Sequence, residues 1–191
     1  MENGAYSSAT EGTKLHEPVE KVQTDSQLST FNFQFSFFLG LGTNLGDRDE
    51  NLRTAVALLG ERIGNVTSLS AFYVTEPWGF RSDNAFLNAA CRVETTLSAL
   101  EVLDATQAIE RDMGRTLKSA GGAYHDRIID LDLLLALSPD GSPLVLSTPR
   151  LVLPHPLLHR RDFVLRPLAE IASEVRHPLL GKTIGELLSE L

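Results

Sequence analysis

The chain is poor in several things. Its 191 residues hold a single cysteine, Cys91, which excludes an internal disulfide and any cysteine-rich zinc site. Basic residues are in deficit, 17 Lys and Arg against 25 Asp and Glu, leaving a formal net charge of -8. That balance argues against a general polyanion binder, because phosphate backbones are held largely by summed Lys and Arg charge. Long apolar runs are missing too. The most apolar stretch, Phe31 to Gly42, is interrupted by Asn32, Gln34 and Ser36 and is too short to span a bilayer. No basic start followed by an apolar stretch precedes it, so no cleaved signal is expected. These absences fit a soluble protein of a reducing cytoplasm, with neither membrane nor nucleic acid as its main partner.

What is present suffices for one ordinary domain, since 42% of the residues are hydrophobic. Residues 1–30 read as a disordered tail, rich in Ser, Thr, Glu, Gln and Gly and without period. Composition changes at Phe31, and residues 31–191 read as a single domain. Phe31, Phe33, Phe35 and Phe37 alternate with polar residues, which predicts a strand ending near Leu41. Asp47 with Glu50 resembles a capping box opening a helix that carries Leu52, Val56 and Leu59. Strands are expected over Val66 to Val74 and Phe86 to Glu94. Ser98 with Glu101 opens a second helix, and Gly114 stands just past its end. Ile128 to Leu137 reads as a strand apolar enough to lie centrally in a sheet. Helices follow around Asp162 to Ala172 and after Thr183. The order β-α-β-β-α-β is the ferredoxin-like plan: an α+β domain with a mainly antiparallel sheet, helices on one face, and C-terminal helices added.

The strongest local signal is Asp130-Leu131-Asp132. Strand alternation puts both carboxylates on one face, where at ~7 Å they repel by ~2–3 kcal/mol at an effective dielectric near 20. A cation is needed. Mg²⁺ suits such a pair, taking one or two carboxylates and completing its shell with water and phosphate oxygens. A plain ion pair with Arg127 or Lys118 is the other solution. Arg115 and Lys118 follow the second helix, Arg127 precedes the strand, and Arg150 and Arg161 flank Pro154-His155. Each alone reads as a solvated charge; together with the aspartates they suit a polyphosphate. Phe86 and Asn88 share a strand face, as an aromatic and an amide would to hold a flat hydrogen-bonding heterocycle, though core packing explains Phe86 as well. Phe163 has the same two readings, and Cys91 reads as core.

Other leads fail on spacing. Gly181-Lys182-Thr183 lacks the first glycine and the preceding strand of a P-loop, and Gly40, Gly42 and Gly46 do not form a dinucleotide fingerprint. His155 and His159 sit four apart like helical zinc ligands, but Pro156 lies between them and no Glu accompanies them.

Five segments in register resemble the 6-hydroxymethyl-7,8-dihydropterin pyrophosphokinases. They are Leu41-Gly42-Thr43-Asn44-Leu45-Gly46, Phe72 to Gly79, Phe86-Leu87-Asn88-Ala89-Ala90, Arg127 to Leu133, and Leu153-Pro154-His155-Pro156. The match runs from about Phe35 to the C-terminus. The resemblance implies a folate-pathway transferase that moves pyrophosphate from ATP to the pterin hydroxymethyl group and releases AMP. It implies two Mg²⁺ ions on Asp130 and Asp132, one bridging the α- and β-phosphates and one the β- and γ-phosphates. Arg115 and Arg127 would close over the polyphosphate and share catalysis with the aspartates. Gln107, Glu110, Tyr124, Arg150, His155 and Arg161 complete the implied ATP site. Phe86 and Phe163 would sandwich the pterin, Asn88 would hold its polar edge, and Thr75, Glu76, Trp78 and Gly79 would line its pocket. A monomer without a stable protein partner is expected. Tyr124-His125-Asp126 departs from the family's usual Trp-Gly-Pro approach to the arginine, Leu117 replaces a loop arginine, and Glu76-Pro77 replaces Pro-Pro. Lys118 to Ala123, with Gly121-Gly122, is expected to act as a lid.

Overall fold

Alternation along one phenylalanine-rich strand organises the molecule. The computed structural model describes residues 34–79, 81–114 and 126–191, all within the unit Asn32–Leu191. The expected tail, the expected lid, and Arg115, Leu117, Lys118 and Tyr124 lie outside the described residues. Strand β1 spans Phe35–Thr43. Phe37, Leu39 and Leu41 enter one core and Phe38 another, as expected of a pleat buried on both faces.

Helix α1 (Arg48–Arg62) starts where the Asp47 carboxylate accepts the Glu50 N–H at 3.1 Å. It buries Leu52, Ala55 and Leu59, while Val56 is half-buried. The strand expected over Val66 to Val74 is broken into β2 (Asn65–Leu69) and β3 (Tyr73–Thr75). At the break the Ser70 hydroxyl accepts the Ala90 N–H at 2.9 Å, and the Ala71 N–H turns away to Glu170 at 2.7 Å. Side-chain oxygens thus replace ladder partners for these donors. β4 covers Phe86–Thr95, and α2 covers Ala99–Asp112 behind a complete Ser98/Glu101 capping box. Gly114, at φ 94°, ends that helix in the left-handed region. β5 covers Asp130–Leu137, and the short hairpin β6 (Leu146–Ser147) and β7 (Val152–Leu153) follows. A single 3-10 turn at Leu158–Arg160 leads into α3 (Asp162–Ala172), and α4 spans Ile184–Ser189.

Among the described residues the main sheet is antiparallel in the order β2-β4-β1-β5, with β3 also on β4. This is the expected ferredoxin-like α+β arrangement. α1 and α2 cover one face, packing Leu52, Leu59, Val102 and Ile109 against Phe37, Leu39 and Val93. α3 and α4 cover part of the other, packing Leu165, Leu168 and Ile184 against Phe38, Ala90 and Leu135. Each such large side chain contributes about 1.5–3 kcal/mol by leaving water.

β5 differs from expectation: it lies at the end of the sheet order, not in its middle. Its apolar run reflects helices on both faces rather than strands on both sides. Its outer edge is also dressed: the Leu131 N–H donates to buried Glu110 at 2.8 Å, and the Leu134 carbonyl accepts the His155 N–H at 2.8 Å. Between β1 and β5 the register slips at Phe38/Leu39, which face Leu135 and Leu133. Leu134 is the extra residue of that bulge. The slip keeps Leu131 and Leu133 in the α1/α2 core while Leu134 and Leu135 both enter the α3/α4 core.

Candidate active site

α3 and α4 leave one end of their sheet face open, and there the chain encloses a cavity of about 250 Å³. Its floor is β1. Gly40 and Gly42 line it, and a Cβ on Gly42 would stand 2.9 Å from the Asn88 side-chain oxygen. Glycine there lets Asn88 lie flat across the strand. Asn88 is buried, and its amide donates to the Thr75 hydroxyl at 2.8 Å across the β3–β4 pair. Beside it, Phe86 on β4 and Phe163 on α3 both line the cavity, with Glu76 and Trp78 from the turn after β3. Trp78 and Phe163 stand 6.1 Å apart at 52°. Pro167, inside α3, cannot supply the N–H that would bond the Phe163 carbonyl one turn earlier.

The charged end lies on the same floor. Asp130 and Asp132 both face the cavity, as strand alternation requires, while Leu131 goes to the core. Arg127, with only 9% of its side chain exposed, donates to Asp130 at 2.6 Å, and its guanidinium lies 5.6 Å from the Phe86 ring centre. Arg161 approaches Asp132 at 3.7 Å and packs over Trp78 and Phe163, 4.9 and 5.7 Å from their centres. The repelling aspartates are thus each met by an arginine, and each arginine lies against an aromatic. Burial first, then Asp130, pushes the Asp132 carboxyl up to about 7, although 40% of its side chain still opens to the cavity. Protein crowds the carboxylate on every side but that one.

His155 completes this end. Burial, then Arg161, pushes its imidazole down to about 4, so it is neutral at pH 7. Its Nδ1 accepts the Leu157 N–H at 3.1 Å, which leaves the proton on Nε2 as a donor toward an anion.

Of the residues singled out in the sequence, the cavity gathers Thr75, Glu76, Trp78, Phe86, Asn88, Arg127, Asp130, Asp132, His155, Arg161 and Phe163. Gln107, Glu110, Gly79 and Arg150 do not line it. Glu110 is buried at the outer edge of β5 holding the Leu131 N–H, and Arg150 pairs with Asp104 at the surface. Arg115 and Tyr124 lie outside the described residues. Cys91 is buried and its thiol is pushed up to about 12 by burial, an inert core group. Sequence reading missed Gly40, Gly42 and Leu134 as lining residues. The alternation that paired Asp130 with Asp132 also puts Leu134 on their side and Gly40 with Gly42, but a glycine carries no side chain to flag.

Comparison with known proteins identifies the chain's family. Residues 38–173 match the family described as 7,8-dihydro-6-hydroxymethylpterin-pyrophosphokinase. The 2-amino-4-hydroxy-6-hydroxymethyldihydropteridine pyrophosphokinase of Porphyromonas gingivalis is 48% identical over 136 residues, covering 71% of this chain and 89% of that one. Its counterpart in Bacillus subtilis is 41% identical over 139 residues, covering 72% and 78%. The crystal structure of Plasmodium falciparum HPPK-DHPS superposes with a TM-score of 0.62 at 18% identity, a likeness of fold. The superposition covers 82% of this chain and 43% of that one, so the chain spans less than half of that longer protein. The chain belongs to the 7,8-dihydro-6-hydroxymethylpterin-pyrophosphokinase family.

Proposed function

We propose that this pyrophosphokinase of folate biosynthesis performs its reaction in the cavity over β1, transferring pyrophosphate from ATP to 6-hydroxymethyl-7,8-dihydropterin. The observation that carries the reading is that one cavity is lined both by Phe86, Asn88 and Phe163 and by Asp130, Asp132, Arg127 and Arg161. A flat heterocycle fits the first set and a polyphosphate the second. The substrate hydroxyl oxygen attacks the β-phosphorus; the bond from that phosphorus to the α–β bridging oxygen breaks, AMP leaves with that oxygen, and the hydroxyl proton passes to solvent. With little covalent work for the protein to do, positioning and charge neutralisation supply the rate.

Asp130 and Asp132 fit Mg²⁺. Two cavity-facing carboxylates, one raised to about 7 by burial first and then by the other, are a donor set that a divalent cation relieves. Bound there with ATP, two such ions would neutralise the polyphosphate and polarise its β-phosphorus. Arg127 and Arg161 can then turn their guanidinium groups from carboxylate to phosphate oxygens, and His155 donates from Nε2. Asn88, fixed by Thr75 and Gly42, orients the polar edge of the pterin between Phe86 and Phe163. Glu110 supports the site by holding the Leu131 N–H between the two aspartates. The protein is taken to act as a cytoplasmic monomer; among the described residues no helix is long and apolar enough to cross a membrane.

Incubation with ATP, Mg²⁺ and the hydroxymethyl pterin tests the reading. AMP formed only when pterin is present is expected. ADP would indicate ordinary phosphoryl transfer, and pterin binding without turnover would indicate a binding module.

A further inference from the structure

Asp126 stands immediately before Arg127, at the entry to β5, and its surroundings give it a purpose. Asn44, just past β1 and only 3% exposed, clamps the chain entering β5. Its N–H donates to the Arg127 carbonyl at 3.1 Å, and its side-chain oxygen accepts the Arg127 N–H at 2.8 Å. Because that N–H can only donate, the Asn44 amide is oriented, and its NH₂ must face the other way. There it donates to one Asp126 oxygen at 2.6 Å. The second Asp126 oxygen accepts the Asn84 amide at 3.0 Å. A hydrogen bond from Ser82, the largest influence, holds the Asp126 carboxyl below the usual range. Ser82 also accepts the Asn84 N–H at 3.1 Å, and Arg48 fastens the Ala85 carbonyl at 2.7 Å. Phe86 follows directly.

We propose that Asp126 is a positioning residue that ties the segment Ser82 to Ala85, which leads into β4 with Phe86 and Asn88, to the segment that carries Arg127 and Asp130. The inference rests on the reaction proposed above. Asp126 is not among the residues that line the cavity; it acts through Asn44 and Asn84. Two amide donors converge on one side chain, and a carboxylate accepts both, whereas an asparagine would set an NH₂ against one of them. The group is exposed, so its contribution to global stability is small. What it fixes is the relation of two loops that are 42 residues apart in sequence.

Asp126→Ala, Asp126→Asn, Asn84→Ala and the double variant Asp126→Ala/Asn84→Ala, each in the full chain, test this by two readouts. Initial rates are expected to show kcat about tenfold lower in Asp126→Ala, with KM for pterin rising more than KM for ATP and with melting within a few degrees of wild type. Asp126→Asn is expected to recover little, and Asn84→Ala to add little in the Asp126→Ala background. Hydrogen exchange over residues 81–88 needs no turnover and is expected to speed up several-fold in Asp126→Ala. Wild-type rate constants and unchanged exchange in Asp126→Ala would overturn the proposal, as would fully additive losses in the double variant. An inactive wild type would overturn the reaction reading instead, and exchange would then decide the role of Asp126 alone.

Discussion

The two ends of the cavity are built on opposite principles. At the heterocycle end, polar groups are satisfied by neutral neighbours: Asn88 donates to Thr75, and Gly42 makes room beneath it. At the polyphosphate end, charges are held by other charges, Arg127 on Asp130 and Arg161 on Asp132. The first end is held in shape by its own side chains. The second holds pairs that incoming metal and phosphate can replace, because each partner finds a stronger counter-charge in the ligand. Preorganisation serves recognition at one end; exchange of partners serves charge neutralisation at the other.

The largest effect that would break this contrast is loss of the carboxylates. Asp130→Asn/Asp132→Asn is expected to lower AMP formation by ~10³-fold or more while the protein stays folded, read by rate assay and circular dichroism. Removing one arginine is expected to cost less. Arg127→Ala or Arg161→Ala should lower kcat/KM for ATP by about 10²-fold, in the range seen for a lost transition-state donor. At the other end, Asn88→Ala, or Gly42→Ala with its methyl against the Asn88 oxygen, should raise KM for pterin by about tenfold or more and leave KM for ATP nearly unchanged. Equal effects of these variants on both substrates would erase the distinction between the two ends.

pH sharpens the contrast with a smaller effect. The Asp132 carboxyl is raised to about 7, above its unfolded value, so folding takes up a proton in between. Its contribution to stability is therefore present at low pH and lost as pH rises through about 7. His155, lowered to about 4, has the opposite sign: its contribution is present above its unfolded value and lost as pH falls toward 4. Between these values the two oppose each other in the metal-free protein. Asp132→Asn is expected to melt a few degrees higher than wild type at pH 8 and to lose that advantage near pH 5, as calorimetry would read it. Mg²⁺ added to wild type should narrow the pH 8 gap by taking the place of the proton. A pH-independent gap would contradict the cause assigned to Asp132.

The half of the site legible in the sequence was local. Period-two alternation put Asp130 with Asp132 and Phe86 with Asn88, and the Ser98/Glu101 capping box placed α2, because each pattern is written within a few adjacent residues. What escaped depends on distant partners. The bulge at Leu134 arises from a register slip against β1, and the apolar run of β5 looked central although α2 and α3, not strands, bury it. The partner of Glu110 is another such case, since it holds the Leu131 N–H at the outer edge of β5. The tie between Asn44, Asn84 and Asp126 brings together three loops that no local pattern connects.

The central claim is that this cavity delivers the substrate hydroxyl to the β-phosphorus of ATP. ATP carrying oxygen-18 in its α–β bridge, turned over with Mg²⁺ and the hydroxymethyl pterin and followed by phosphorus NMR, tests it most directly. The account predicts the label on AMP and none in the bond joining pyrophosphate to the pterin. Label retained in ADP, or carried into the pterin product, would contradict it.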